Sequence, residues 1–497
     1  MVLPLVPQPA SVTESPGVLA LTGTTRIVVE NEADAAASVL ADMLADRTGL
    51  RPSVVAGNAE PGDIVVRRTA RQGEDYTLRV GDTVRIEGAE AGLFYGIQTL
   101  RQLLVEDDAW TVPAVEIADA PRYSYRGVMV DAARTFLPVD TVKAVIDRAS
   151  SLKFNRLHLH LTDDQGWRLH IDSRPLLTER GATTAVFGRP GGFYTKDDFR
   201  EIVRYAAAHR MTVVPEIDLP GHTHAIGLAY PELVEAPVMN DGLLAQAESL
   251  GQDLPVAGEP YTGWGVGHSS VKIRDEATWE FVRDVLTEVA ELTPGPYLHV
   301  GGDECLGTPQ DEFDAFIERV TALTTELGKT PITWHEAGSA HVAEGTIGQY
   351  WGSTAPAGTH ADEARRFAER GGSVIMSPSN TAYLDQKYDA DFPLGLAWAA
   401  LIDLETAYTW EPEDIVDGLP VEAIAGVESP LWSETIETLE DIDQLLFPRL
   451  AAIAEVAWSP RGRDWDAFRT RVGSLGGIWD AAGWGGHRPA EIDWSAR

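Results

Sequence analysis

Eight short apolar runs, each followed at once by polar or aromatic residues and usually by an amphipathic helical stretch, constrain the fold of this chain most. They are YRGVMVD (125–131), NRLHLHLTD (155–163), MTVVPEID (211–218), YLHVGGDE (297–304), PITWHEAG (331–338), TIGQYWG (346–352), SVIMSP (373–378) and AIAGVESPLWSE (423–434). Runs of this kind, alternating with helices, fit parallel strands buried on both faces and joined by crossovers. Eight of them predict an α/β fold of the (β/α)8 TIM-barrel type. Helical patterns at 138–152, 195–209, 275–292, 309–327, 360–370 and 438–457 supply the outer ring, and two connections carry no convincing helix.

At 497 residues the chain exceeds what one compact domain usually holds. Before residue 120 the pattern differs. Strand-like runs at 26–30, DIVVRR and DYTLRV alternate with helical patterns at 33–47 and in AEAGLFYGIQTLRQLLVE, and few catalytic residue types cluster there. Residues 1–121 therefore read as a smaller α+β accessory domain, and 122–497 as the barrel with a C-terminal helical segment.

A formal net charge of −36 repels phosphate backbones and anionic headgroups, so neither nucleic acid nor membrane is expected as a partner. The single cysteine, Cys305, excludes intramolecular disulfides and multi-cysteine metal sites. MVLPLVPQPA lacks a basic n-region and reads as neither signal peptide nor membrane span, so the expectation is a cytoplasmic protein, or a secreted one whose leader has been removed. Nothing in the chain specifies an oligomeric state.

In a TIM barrel the active site lies at the C-terminal ends of the strands. The residues after the apolar runs are Asp131 and Arg134, Asp163 and Asp164, Asp218 and His222, Asp303 and Glu304, Trp334, Trp351, Tyr383 with Asp385, and Trp432 with Glu434. Carboxylates and indoles gathered at one face suit a sugar, whose apolar ring faces stack on tryptophan while its hydroxyls bond to Asp, Glu and Arg. Glycosidic cleavage needs an acid for the leaving oxygen and stabilisation of an oxocarbenium-like centre, both of which Asp303 and Glu304 can offer. Neighbouring residues at a strand end point in different directions, so this pair need not be a facing acid and nucleophile.

The segments HVGGDE (299–304), KFNRLHLHLTDDQGWR (153–168), RGVMVDAAR (126–134), PEIDLPGH (215–222) and LWSE (431–434) together resemble glycoside hydrolase family 20, the β-N-acetylhexosaminidases. The likeness covers about 122–460 and extends to AGLFYGIQTLRQLL (91–104). It implies an exo-acting hydrolase of terminal β-linked N-acetylglucosamine, with N-acetylgalactosamine as second candidate, on glycans or chitooligosaccharides and without metal or organic cofactor. It also implies substrate-assisted retention, in which the 2-acetamido oxygen attacks the anomeric carbon and gives an oxazolinium intermediate. Carried over, Glu304 is the general acid and then base, Asp303 orients the acetamide, and Tyr383 donates a hydrogen bond to the acetamide oxygen. Trp334, Trp351 and Trp432 form the aromatic pocket, Arg134, Asp385 and Glu434 bind hydroxyls, and Asp163 with His222 supports the acid. Thr135 stands where relatives often carry a bulkier residue, and 234–270 matches no motif, so both bear on how far the substrate extends.

Other readings stand beside this one. A lacto-N-biosidase-type member of the family would release a disaccharide. His158 and His160 alternate on a strand, share one face, and could hold a metal as in amidohydrolase-type barrels. That reading needs further ligands such as His222 and Asp303, and leaves the aromatic cluster unexplained. A non-catalytic glycan-binding protein would keep the pocket, usually without the acid, but Glu304 is present. Cys305 has no neighbouring base and orienter, and reads as a small packed residue.

Overall fold

The computed structural model describes residues 3–70, 72–106 and 108–494, and the outermost residues of both expected domains, 1–2 and 495–497, lie outside the described residues. Two compact units emerge. The larger spans Tyr125–Arg148 and Asn155–Leu445 and contains a closed barrel of eight parallel strands. These are β1 (Tyr125–Asp131), β2 (Arg156–His160), β3 (Thr212–Glu216), β4 (Tyr297–His299), β5 (Thr330–Trp334), β6 (Ile347–Tyr350), β7 (Ser373–Met376) and β8 (Ile424–Leu431).

They pair in chain order and β8 closes on β1, with Gly426 opposite Tyr125 through Leu431 opposite Val130. All eight apolar runs become strands. Several end earlier than the run that announced them: β2 stops at His160, β3 at Glu216 and β4 at His299. The remaining residues of those runs leave the ladder, and these carry the polar groups.

Outer helices occupy Val139–Ser151, Lys196–Ala208, Glu276–Leu292, Gln310–Glu326 and His360–Glu369, as the periodicity predicts. Lys196–Ala208 begins with a capping box in which the Thr195 hydroxyl accepts from the Asp198 amide and the Asp198 carboxylate accepts from the Thr195 amide. The pattern at 438–457 is two helices, Leu439–Leu446 and Arg449–Trp458, because Pro448 has no amide proton to continue the ladder. After β5 there is only a 3-10 turn, His335–Ser339, and after β7 a long excursion with one short α-helix, Leu404–Tyr408, and two 3-10 turns, Pro412–Asp414 and Val421–Ala423. No helix among the described residues is long and apolar enough to cross a membrane.

The barrel interior is layered. Tyr125, Val214, Ile332, Ile347 and Ile375 form a buried apolar cluster. The Tyr125 hydroxyl leaves that layer to donate to Glu428 at 2.7 Å, where a second, polar layer begins.

The smaller unit comprises Met1–Ser124, Ala149–Phe154 and Leu446–Arg497. The C-terminal helices, read from sequence with the barrel, therefore cluster with this unit, where Trp458 joins its core. Its eight-stranded sheet contains the three expected strands. It also has an exposed edge strand, Ser11–Ala20, paired to Trp110–Asp119 across an irregularity between Glu14 and Val18. Helices Asp34–Thr48 and Glu90–Leu103 pack Leu40, Leu44, Leu93 and Ile97 against Ile64, Val66 and Ile86.

A buried Asp119 ties this unit together. It accepts from the Trp458 indole at 3.0 Å, the Tyr76 hydroxyl at 2.7 Å and the fully buried Lys153 ammonium at 3.0 Å. Breaking a buried ion pair from one side strands the other charge. Asp119→Ala is therefore expected to destabilise the protein by about 3–5 kcal/mol, read as a lower midpoint in chemical denaturation.

Candidate active site

Beyond His299 the chain passes through Val300-Gly301-Gly302-Asp303-Glu304, and its backbone explains the glycines. Gly301 has φ +68°, and a Cβ there would fall 1.7 Å from Asp218 Oδ1. Only glycine lets the loop after β4 approach the loop after β3 this closely. Glu304 (φ +46°) and His222 (φ +53°) also adopt the left-handed region, which costs a non-glycine residue of order 1 kcal/mol or more and persists only where the surroundings impose it.

These two strained residues meet. His222 Nε2 lies 3.5 Å from Glu304 Oε2 and 3.7 Å from Asp303 Oδ2, while its Nδ1 faces Asp163 Oδ1 at 3.2 Å. Asp163 Oδ2 is held by Arg134 at 2.7 Å and His160 Nε2 at 2.9 Å. Burial works against a charged His222, but Asp163, Asp303 and Asp218 outweigh it and keep the ring protonated well above the usual imidazole range. Asp163 is likewise drawn well below the usual carboxylate range, with Arg134 and His222 overcoming burial.

Asp303 is only 7% exposed, and its Oδ1 has no hydrogen-bond partner among the described residues. Burial first, and the Glu304 charge second, push its carboxyl up to about 6 against the pull of His222. Glu304 keeps 30% of its side chain accessible and faces the cavity.

That cavity, about 980 Å³, opens at the C-terminal ends of the strands. Of the eleven residues named from sequence, Arg134, Asp303, Glu304, Trp334, Trp351, Tyr383, Trp432 and Glu434 line it. Asp163 and His222 stand behind Glu304 instead, and Asp385 is buried and does not line the cavity, though its charge raises both Tyr383 and Glu434. Ring centroids of Trp432 lie 6.1 Å from Trp334 and 6.5 Å from Tyr383, and the Arg134 guanidinium sits 4.6 Å above the Trp432 ring. Burial and the charges of Asp131 and Asp385 push Glu434 up to about 8, against Arg134.

Several lining residues were not named from sequence. Trp398, assigned no role there, is 55% exposed at the rim, 5.8 Å from the Tyr383 ring and 6.2 Å from Trp351. The motif-free 234–270 segment contributes a helix, Asp241–Leu250, whose Gln246 and Leu250 line the cavity with Trp264. Glu336, two residues past Trp334, accepts the Trp351 indole proton at 3.0 Å and is held well above the carboxylate range by burial, Asp303 and Glu304. Thr135 is bonded through its amide and hydroxyl to Ser433, both at 2.9 Å. The Cys305 thiol contacts the Thr308 hydroxyl at 2.9 Å, and burial raises it.

His158 and His160 share a face, as their alternation requires, but point into the barrel. His158 Nδ1 meets Glu428 at 2.7 Å and Nε2 meets Glu216 at 3.0 Å, while His160 Nδ1 meets Glu216 at 2.5 Å. His160 Nε2 meets Asp163 at 2.9 Å, so both of its nitrogens are bonded to carboxylates, whereas His158 Nε2 approaches Glu216 without a hydrogen bond among the described residues.

Comparisons with known proteins point to one family. The model of the glycosyl hydrolase family 20 catalytic domain matches residues 123–310 and 306–461, and that of family 20 domain 2 matches 2–120. A β-N-acetylhexosaminidase of Cellulomonas fimi is 40% identical over 99% of this chain and 97% of its own length. A β-hexosaminidase of Vibrio furnissii is 32% identical over 91% of this chain and 76% of its own. Among solved structures, the family 20 β-N-acetylhexosaminidase of Streptomyces coelicolor A3(2) superposes with a TM-score of 0.91 at 40% identity, covering 99% of both chains.

Proposed function

The chain belongs to glycoside hydrolase family 20 and is a β-N-acetylhexosaminidase, and from that premise we propose that it releases non-reducing terminal N-acetylglucosamine by substrate-assisted, retaining catalysis. The observation that carries this reading is the unequal pair at the end of β4. Glu304 faces the cavity, whereas Asp303 is buried beside it with an oxygen that has no partner among the described residues. Both carboxylates lie on one imidazole nitrogen, so they stand side by side and do not face each other across a sugar. A buried acceptor in an aromatic cage suits the N–H of an acetamide, whose oxygen then serves as nucleophile.

In this mechanism Glu304 gives its proton to the glycosidic oxygen as the C1–O bond breaks, and the acetamide oxygen bonds to C1. Asp303 accepts from the acetamide nitrogen and balances the positive charge that develops there. Tyr383 donates to the acetamide oxygen, and Trp334, Trp351 and Trp432 enclose the methyl group and sugar ring. Arg134 and Glu434 take the hydroxyls, and the buried Asp385 acts on them through Glu434, whose carboxyl its charge raises. Glu304, now ionised, removes a proton from water as it attacks C1 and reopens the oxazolinium ring, with net retention.

Removing the internal nucleophile tests the reading directly. An aryl β-glucoside is expected to be hydrolysed on the order of 10³-fold or more slowly than the matching N-acetylglucosaminide. Comparable rates would contradict the mechanism. The same assay on the N-acetylgalactosaminide and on a lacto-N-bioside reads the preference at C4 and the size of the released unit.

A further inference from the structure

One buried carboxylate is shared by the two halves of this site. Glu216, the last residue of β3, is fully buried, and four ring nitrogens converge on its oxygens. Oε1 accepts from the Trp334 indole at 2.9 Å and lies 3.0 Å from His299 Nδ1. Oε2 lies 2.5 Å from His160 Nδ1 and 3.0 Å from His158 Nε2.

From Glu216 the contacts run in two directions. Trp334 is a wall of the cavity. His160 leads to Asp163 at 2.9 Å, Asp163 to His222 at 3.2 Å, and His222 to Glu304 at 3.5 Å. On the far side His158 is anchored to Glu428 at 2.7 Å, and Glu428 also accepts from Gln349 at 2.8 Å.

A buried ion cluster is a poor source of stability, because desolvation offsets most of the attraction and apolar residues of equal volume do as well. Orientation is a different matter. An indole has one polar atom, so the bond to Oε1 fixes how Trp334 turns within the wall. An imidazole bonded at both nitrogens is fixed likewise, and in that state His160 presents Nε2 to Asp163. Burial opposes a charge on His160, but Glu216 and Asp163 outweigh it and hold the ring at about 9, so it donates from both nitrogens at neutral pH.

We propose that Glu216 is a positioning residue that registers the acetamide pocket, through Trp334, with the general acid, through His160, Asp163 and His222. This rests on the reading above, in which the acetamide is nucleophile and Glu304 the acid. Losing Glu216 disturbs both halves together, although it touches no substrate.

Glu216→Gln in the full-length enzyme tests it, because the side chain keeps its shape but turns one acceptor into a donor facing either Trp334 or the imidazoles. We expect kcat to fall about 10²-fold, as for a displacement of about 1 Å at reacting groups. The dependence of kcat/KM on leaving-group pKa should steepen, and inhibition by N-acetylglucosamine should weaken about tenfold, the loss of a hydrogen bond to a charged group. The groups acting on Asp303 are His222, Glu304, Glu216 and His160, with Asp218 and Glu336. Since Glu216 raises Asp303, its neutralisation should also move the acid limb of the pH profile to lower pH.

His160→Gln keeps the Trp334 bond and breaks the other arm. It should steepen the leaving-group dependence while sugar inhibition stays within about twofold. A Glu216→Gln enzyme with wild-type leaving-group dependence and acid limb, and a loss confined to the titrated fraction of active sites, would overturn the proposal. If that variant does not fold, an unchanged leaving-group dependence in His160→Gln overturns it instead. The wild-type rate on a substrate without the acetamide reads the underlying mechanism separately from either variant.

Discussion

Glu304→Gln is expected to lower kcat/KM by about 10²–10⁴-fold on substrates with poor leaving groups, and far less on aryl glycosides whose phenolate departs unaided. The asymmetry follows from what the side chain provides. A carboxamide fills the same space and keeps an oxygen beside His222 Nε2, 3.5 Å away, so the loop keeps its place and sugar binding is retained. What disappears is a proton for the leaving oxygen and, later, a base for water. A phenol of low pKa needs little protonation, so its first step survives and the second becomes limiting. Rates measured across a series of aryl N-acetylglucosaminides should therefore fall steeply with leaving-group pKa in the variant and gently in the parent. A uniform loss across the series would remove Glu304 from the role of acid.

The barrel was legible because parallel strands buried on both faces are written as near-continuous apolar runs, and because the polar residues that follow them have nowhere to go but the strand ends. Asp303, Glu304 and the three indoles fall into that register. The contribution of 234–270 was not legible, since the helix Asp241–Leu250 buries only Leu243 while Leu244 stays exposed and Ala245 and Leu250 line the cavity, so no core-facing periodicity marks it. Trp398 was missed for a related reason, because nothing local separates an indole that lines a cavity from one at the surface, and Glu336 because its partner Trp351 comes from the next strand end. Glu216 is the instructive case. It stood within the quoted PEIDLPGH, but its partners come from β2, β4 and β5, and only closure of the barrel brings those rings to one carboxylate. In the smaller unit, Ser11–Ala20 is exposed along nearly its whole length, so no alternation of apolar and polar residues announced it.

Asp303→Asn should lower kcat by about 10²–10³-fold, the scale of losing one preorganised electrostatic contact to a developing charge, and it should change the pH profile as well as the rate. The mechanism requires the ionised carboxylate, which both accepts from the acetamide nitrogen and offsets the oxazolinium charge. Burial and Glu304 push this carboxyl up to about 6. Wild-type activity should therefore climb as pH rises through about 6, and the residual activity of the asparagine variant should lack that limb. Stability moves the other way. Between the ordinary carboxyl value of about 4 and the folded value of about 6, the native state binds more protons than the unfolded chain, so the stability this group contributes is fully present below about 4 and is lost as pH rises through 6. The asparagine pays no such penalty, and His222 keeps Asp163 at 3.2 Å as its counter-ion. The variant should thus match the parent in denaturant midpoint near pH 4 and exceed it above pH 6, by up to about 3 kcal/mol. A variant that is slower and also less stable at pH 7 would mean that Asp303 supports the fold, and that its burial is not a cost accepted for the charge it presents to the substrate.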